Sequence, residues 1–419
     1  MHILRFGRLV TPLRNGDALD LAPAWLACDR AGLVLALGPG DPPPALAGLP
    51  ETNLRRFVGV PGFVDAHLHF PQVDVRGRPA SDLLTWLERH VFPAEEACAD
   101  PRVARDLARR TFSELVRNGV TTAGVFGSSH PDATHAAFLE AERSGLRITM
   151  GMVLMDRNAP DGLLLPRAPA VEASRRLCRR WNGRASGRLR YAFSPRFGPS
   201  CTFELLREAG LAARELGAAV QTHLSESRRE VAWVRELFPG SQAYAEVYRA
   251  AGLLGPHTVL GHAVHLDDRE WALLKVHDAA VAHCPTSNFF LRSGAFDLAR
   301  ALGERLRVGL GSDVGAGPSF SPFDVMRHAG YLTPLSPVEA LTRATLGGAE
   351  ALGVAERVGS LEVEKDADVA VLAPEAVDAR VDVPLDILLS AFIHRGRAAA
   401  VAGVLVRGEW AWTDPALRV

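Results

Sequence analysis

The chain has 419 residues, of which 47 are basic and 48 acidic, a net charge of −1. So even a balance excludes a nucleic-acid protein held by a basic surface, because phosphate binding needs net positive charge. With 47% hydrophobic and 23% charged residues, the chain builds a large core rather than remaining disordered.

From the N-terminus, MHILRFGRLV shows no long apolar stretch after a basic start, so no signal peptide is read. No run approaches the roughly 18 unbroken apolar residues of a membrane span. The expectation is a soluble, cytoplasmic protein with no membrane partner. Residues 1–60 carry short β-rich runs (ILRFGRLVT, WLACD, LVLAL, RRFVGV) broken by Gly and Pro, with a loop at 40–52. The tail repeats the pattern in DADVAVLA (366–373) and AAVAGVLVRG (399–408), followed by Trp410 and Trp412. Neither end has enough strands to bury two faces alone, so residues 1–60 plus 366–419 are predicted to form one small β-sandwich domain.

Residues 61–365 read differently. Eight apolar runs follow one another: 62–70, 120–126, 147–155, 189–197, 218–226, 258–266, 279–287 and 307–315. Amphipathic stretches such as PRVARDLARRTFSELVRNG and TFELLREAGLAARELG separate most of them. Near-continuous apolar strands alternating with helices predict an α/β fold, a (β/α)8 TIM-like barrel. No G-x-G-x-x-G comes after the first strand, which argues against a doubly wound sheet.

Polar residues gather where these strands end. His67 and His69 close the first, Arg196 and Phe197 the fourth, His223 the fifth, His262 the sixth, His283 the seventh and Asp313 the eighth. In a barrel these ends share one rim, where such enzymes keep their active sites. Period-two geometry puts His67 and His69 on one strand face, within reach of one ion. Imidazoles with a carboxylate suit zinc or iron, and an open position for water describes a catalytic site. His223 is a further ligand candidate. Asp313, in GLGSDVG, either binds or flanks the metal and takes a water proton, or caps the next helix. Glu226, three residues after His223, is a proton shuttle or a carboxylate at a helix start. His262 is a fourth His ligand or orients the water. His283 lies near the site or is a hydrogen-bonded residue at the barrel floor. The other nine histidines are read as surface or packing, with His130 and His265 just past strand ends. The five cysteines are scattered, so the metal site is imidazole and carboxylate. Segments 71–95 and 156–170 are the candidates for covering the mouth.

The run PGFVDAHLHF at 61–70 resembles the first-strand signature of the amidohydrolase superfamily. THLSE, GHA, HCPTSN and GSDVG come in the order of its mononuclear metal aminohydrolases, and GSLEVEKDADVAVL at 359–372 is similar to the return into their small β-domain. The lysines, Lys275 and Lys365, both come after His223, so no barrel lysine is placed for the carbamylated binuclear branch. HLHFPQ, LLTWLERHVFPAE (83–95), MDRN (155–158), SPRFGPSC (194–201) and HCPTSNFFLRSG (283–294) resemble the guanine deaminase family more narrowly. Thr286 stands where that family commonly has Asn, and GHA where it has AHG; neither swaps a ligand.

The resemblance implies one divalent ion, zinc with iron possible, held by His67, His69, His223 and Asp313. It implies that His262 orients the water, Glu226 protonates a purine ring nitrogen, and Asp313 accepts the water proton. Gln72, Arg196 and Phe197 would hold a guanine base, and the chain would be a homodimer. Arg196 only donates hydrogen bonds, which suits a 6-carbonyl, and Phe197 offers a stacking face. The nearest alternative is the same hydrolysis on another amino-heterocycle, such as an 8-oxopurine, a triazine or a pterin. A metal-free scaffold is the alternative from another class.

Overall fold

The apolar runs after residue 61 form a ring of parallel strands in the computed structural model, which describes residues 1–415. Residues 416–419, the last four placed with the tail, lie outside the described residues. We number the barrel strands β1 Phe63–His69, β2 Val120–Phe126, β3 Arg147–Gly151, β4 Leu189–Pro195, β5 Ala219–Leu224, β6 Thr258–His262, β7 Ala280–His283 and β8 Val308–Leu310. Neighbours in the ring are neighbours in sequence, and every pairing is parallel. The (β/α)8 reading therefore holds, with strands shorter than the apolar runs.

Nearly all strand residues are buried because helices cover the outer face. The helix Pro101–Arg117 illustrates why: Ala104, Leu107, Ala108, Phe112 and Leu115 recur at helical spacing on its buried side. It starts where Asp100 accepts from the Arg102 N–H, with Pro at the first position.

The ring closes without a regular ladder. Between β8 and β1 the Asp313 N–H donates to the His67 carbonyl (2.8 Å) and the His69 N–H to the Val314 carbonyl (2.6 Å). The Ser312 N–H donates to the Asp65 carboxylate at 2.9 Å. The β1–β2 register also shifts between Asp65 and Leu68. Such irregularities re-aim side chains beside active sites.

The two chain ends build one mixed sheet of eight strands among the described residues. Glu51–Pro61 pairs with Val369–Leu372, Val60 lying opposite Ala370. The pairing runs continuously from one chain end to the other. The reason lies in His2–Pro12, which shifts register between Phe6 and Arg8. Its first half pairs with Ala24–Cys28 and its second with Ala18–Leu21, so one long strand serves both halves. Leu4, Phe6, Leu26, Leu54, Val369 and Leu405 form this sheet's own core. Among the described residues, no helix is long and apolar enough to cross a membrane.

Candidate active site

The strand ends bring the predicted residues around one cleft of about 370 Å³, lined by His69, Gln72, Arg196, Phe197, His223, Glu226, His262 and Asp313. His67 lies at its base, its Nε2 3.4 Å from Asp313 Oδ1. The same carboxylate oxygen is 3.5 Å from His69 Nε2. His69 Nε2 and His223 Nε2 are 3.1 Å apart. All four of these residues are nearly inaccessible to solvent.

Small residues open the space for this crowding. A Cβ on Gly261 would lie 2.9 Å from the His67 ring, and one on Gly311 would lie 2.8 Å from His67 Cβ. Ser225, His262, Ala263 and Asp313 all have positive φ, at 48°, 68°, 52° and 48°. These left-handed residues sit just where β5, β6 and β8 release their chain into the rim. Strain of this kind persists where the surrounding structure enforces it, as at ligand sites.

The histidines are arranged as electron-pair donors. His223 Nδ1 bonds the Arg196 carbonyl at 2.6 Å; a carbonyl only accepts, so Nδ1 carries the proton and Nε2 is bare. His67 Nε2 is buried without a hydrogen-bond partner. Burial holds His67 below its usual pKa, and His69 and His223 well below it, so these imidazoles are neutral. Asp313 is held below the usual carboxylate range: burial raises it, and the contact with His67 and the charge of His262 outweigh that. Neutral imidazoles converging on a carboxylate, one with an orphaned buried nitrogen, fit a divalent cation. His67, His69 and His223 offer ligand atoms all within 4.8 Å of one another.

Neither Asp313 nor Glu226 is the cap of a helix. Asp313 faces His67 and His69, and the next helix, Pro322–Leu332, starts at Ser321. Ser227 caps the helix Arg228–Leu237, so Glu226 is free of that duty. Its Oε2 lies 3.5 Å from His262 Nε2, and Oε1 accepts from the Ser293 hydroxyl at 3.3 Å. Burial raises Glu226 to about 7. His262 donates from Nδ1 to Asn288 Oδ1 at 2.9 Å, which aims Nε2 at Glu226 and, 3.8 Å away, Asp313. Burial lowers the pKa of His262, but the two carboxylates prevail and it stands above its usual value.

His283 does not line the cleft; its ring packs against Phe296, and burial lowers it to about 3. His265 ties Nε2 to the Ser293 carbonyl at 2.7 Å. Of the two predicted covering segments, 71–95 supplies Gln72, Leu83, Trp86 and Leu87 to the cleft. Segment 156–170 supplies Asn158 to an adjoining groove instead.

Three residues escaped the sequence reading. Glu95 accepts from Gln72 Nε2 at 2.8 Å and from Arg196 Nη1 at 2.6 Å. Asn288 holds His262, and Asp65 accepts from the backbone of His67 and Ser312. Each lies inside a motif already singled out (FPAE, HCPTSN, FVDAHLH), and that was the available signal.

An eight-stranded barrel whose C-terminal rim gathers histidines and a carboxylate defines a metal-dependent hydrolase class. The chain belongs to the amidohydrolase family, whose model matches residues 58–411. It is 41% identical to the guanine deaminase of Escherichia coli (strain K12) over 340 residues, 78% of this chain and 76% of that one. The solved structure of the E. coli guanine deaminase superposes with a TM-score of 0.93 at 33% identity, covering 99% of this chain and all of that one. A guanine deaminase from C. acetobutylicum, solved with guanine bound in the active site, gives 0.91 at 29% identity, covering 98% and 99%.

Proposed function

We propose that this protein hydrolyses guanine to xanthine and ammonia, and that its metal is zinc, held by His67, His69, His223 and Asp313. One observation carries the reading: the neutral histidine cluster and Asp313 meet Arg196, Gln72 and Phe197 at a single cleft. The similarity to guanine deaminases supports the substrate.

A divalent ion held by these residues would supply Lewis-acid chemistry, making water acidic enough to attack near neutral pH. The protein's residues do the rest. Arg196 donates to the 6-carbonyl and Phe197 stacks on the purine, placing the amino-bearing carbon toward the histidines. Glu226, balanced near neutrality, protonates a ring nitrogen and makes that carbon electrophilic. Asp313, held ionised, accepts one proton from the attacking water and returns it to the departing ammonia, and the water's second proton restores Glu226 as the new carbonyl forms. His262, fixed by Asn288, orients that water. Adenine has no carbonyl for the buried Arg196, a mismatch worth on the order of 10⁴-fold.

Further readings accompany this one. Residues 1–60 with 366–419 act as one unit and 61–365 as the catalytic unit, supported by the pairing of the two ends. The protein is cytoplasmic, supported by five free cysteines, and serves purine catabolism. It is a homodimer, supported by the exposed Phe289 and Tyr331, whose rings flank the half-buried His328.

The test is absorbance on adding guanine, adenine, cytosine and related amino-heterocycles to metal-loaded protein, with metal content measured on the same sample. Turnover of guanine with about one zinc per chain is expected. Turnover of another ring alone would reassign the substrate while keeping the reaction, and metal below a tenth of an equivalent would favour a scaffold.

A further inference from the structure

We infer that Glu95 is a positioning residue that dictates which atoms Gln72 and Arg196 present to the substrate, and so selects a neutral purine offering a carbonyl and a ring N–H. The inference rests on the guanine reading and deepens it.

Glu95 does not line the cleft. It stands behind the two residues that do, bonded to Gln72 through one carboxylate oxygen and to Arg196 through the other. All three residues are at most 3% exposed. An ionised carboxylate only accepts. The amide NH2 of Gln72 must therefore be the end turned to Glu95, which leaves its carbonyl oxygen as the end free for substrate. Arg196 commits Nη1 to Glu95 and keeps its other N–H groups. The wall thus has a fixed polarity, with an acceptor at Gln72 and a donor at Arg196.

Charge sharpens the choice. An unpaired Arg196 would demand an anionic ligand, whereas Glu95 already neutralises it. A neutral cyclic amide then satisfies both residues, its C=O on Arg196 and its N–H on Gln72. Local structure holds Glu95 in place. Its helical run, Leu83 to Glu96, contains a π turn at Leu87–Val91. The extra residue in such a turn rotates the next helical turn about the axis, and π turns recur at functional sites. From the same run, the Phe92 ring lies 5.6 Å from the Arg196 guanidinium.

Glu95→Gln tests this. A neutral amide has one accepting and one donating end, so it cannot accept from both partners. The probes are guanine and 2-aminopurine, which keeps the 2-amino group and lacks the carbonyl; the latter is measured as substrate or as competitive inhibitor. In the variant, kcat/KM for guanine is expected to fall about 100-fold, mostly through KM, at unchanged metal content. The constant for 2-aminopurine should move less than about threefold, so discrimination narrows. Glu95→Asp, which keeps the charge, should recover part of the guanine loss. Equal losses for both probes, or no loss for guanine, would overturn the role of Glu95 alone. A wild-type protein inert toward guanine would overturn the substrate reading and this inference with it.

Discussion

The two ends of the barrel both bury charge, and they do so in opposite ways. At the N-terminal end, Asp366 meets Arg147, the first residue of β3, and Arg357, with Arg407 Nε 3.8 Å away. Asp368 accepts from the Arg407 N–H at 2.8 Å. Carboxylates face arginines there, although Arg147 Nε, Arg407 Nε and Asp368 Oδ2 are buried without a hydrogen-bond partner. At the C-terminal rim, four histidines crowd within ring-centroid distances of 4.9 to 5.5 Å of one another where pairs are in contact. His67 Nε2 has no hydrogen-bond partner, and two nitrogens of His69 and His223 face each other. Burial of polar groups is common to both regions. What separates the two regions is charge: the base sets arginines against carboxylates, whereas the rim gathers neutral imidazoles and one carboxylate whose ligand atoms converge on a common point.

Substitutions on either side break that contrast. Glu226→Gln has the largest expected effect on chemistry. It removes a proton shuttle and no proposed ligand, so turnover of guanine falls about 10³-fold or more at unchanged metal content. Stability does not fall, because the lost carboxylate was buried at a cost. Metal analysis beside steady-state rates checks this, and metal loss in the variant would reassign Glu226 as a ligand. Asp366→Ala should behave in the reverse sense. It removes the carboxylate that Arg147 bonds and leaves that buried cation with only Asp368 beside it, at about 3 kcal/mol of folding stability. The fraction that stays folded keeps wild-type kcat. Denaturant unfolding and active-site titration separate the two quantities, and a variant as stable as wild type would mean the base cluster adds nothing.

The same contrast explains what could be read from the sequence. The barrel was legible because strands buried on both faces are written as apolar runs, and its rim because histidines and Asp313 stand toward the C-terminal ends of those runs. His67, His69, His223, His262 and Asp313 stand out for that reason. Glu95 does not: Glu-Glu inside a helical segment looks like a solvated face, and only the π turn and its two partners explain its burial. Asn288 is masked in the same way, as one polar residue in a polar stretch. The strand order of the chain ends depends on a register shift in His2–Pro12, which has no period of its own to betray it.

The smallest expected effect is a pH dependence that belongs to the structural end alone. Burial, opposed by Arg147 and by the Arg407 N–H, raises Asp368 to about 6 from its usual 3.8. The folded protein therefore holds this proton more tightly than the unfolded chain does. Below about pH 4 both states are protonated and the residue's contribution to stability is at its fullest. As pH rises from about 4 to about 6 the unfolded chain releases the proton first, so the contribution falls, and above about 6 it stays at its lower level. Asp368→Asn cannot titrate. The unfolding free energy of wild type minus that of Asp368→Asn should decline across this window and then level off. Taking the difference cancels the titration of the distant histidine rim, since well-separated sites contribute additively. A difference that instead grew with pH would mean that Arg147 outweighs burial, and that the base cluster is tuned to keep its carboxylates ionised.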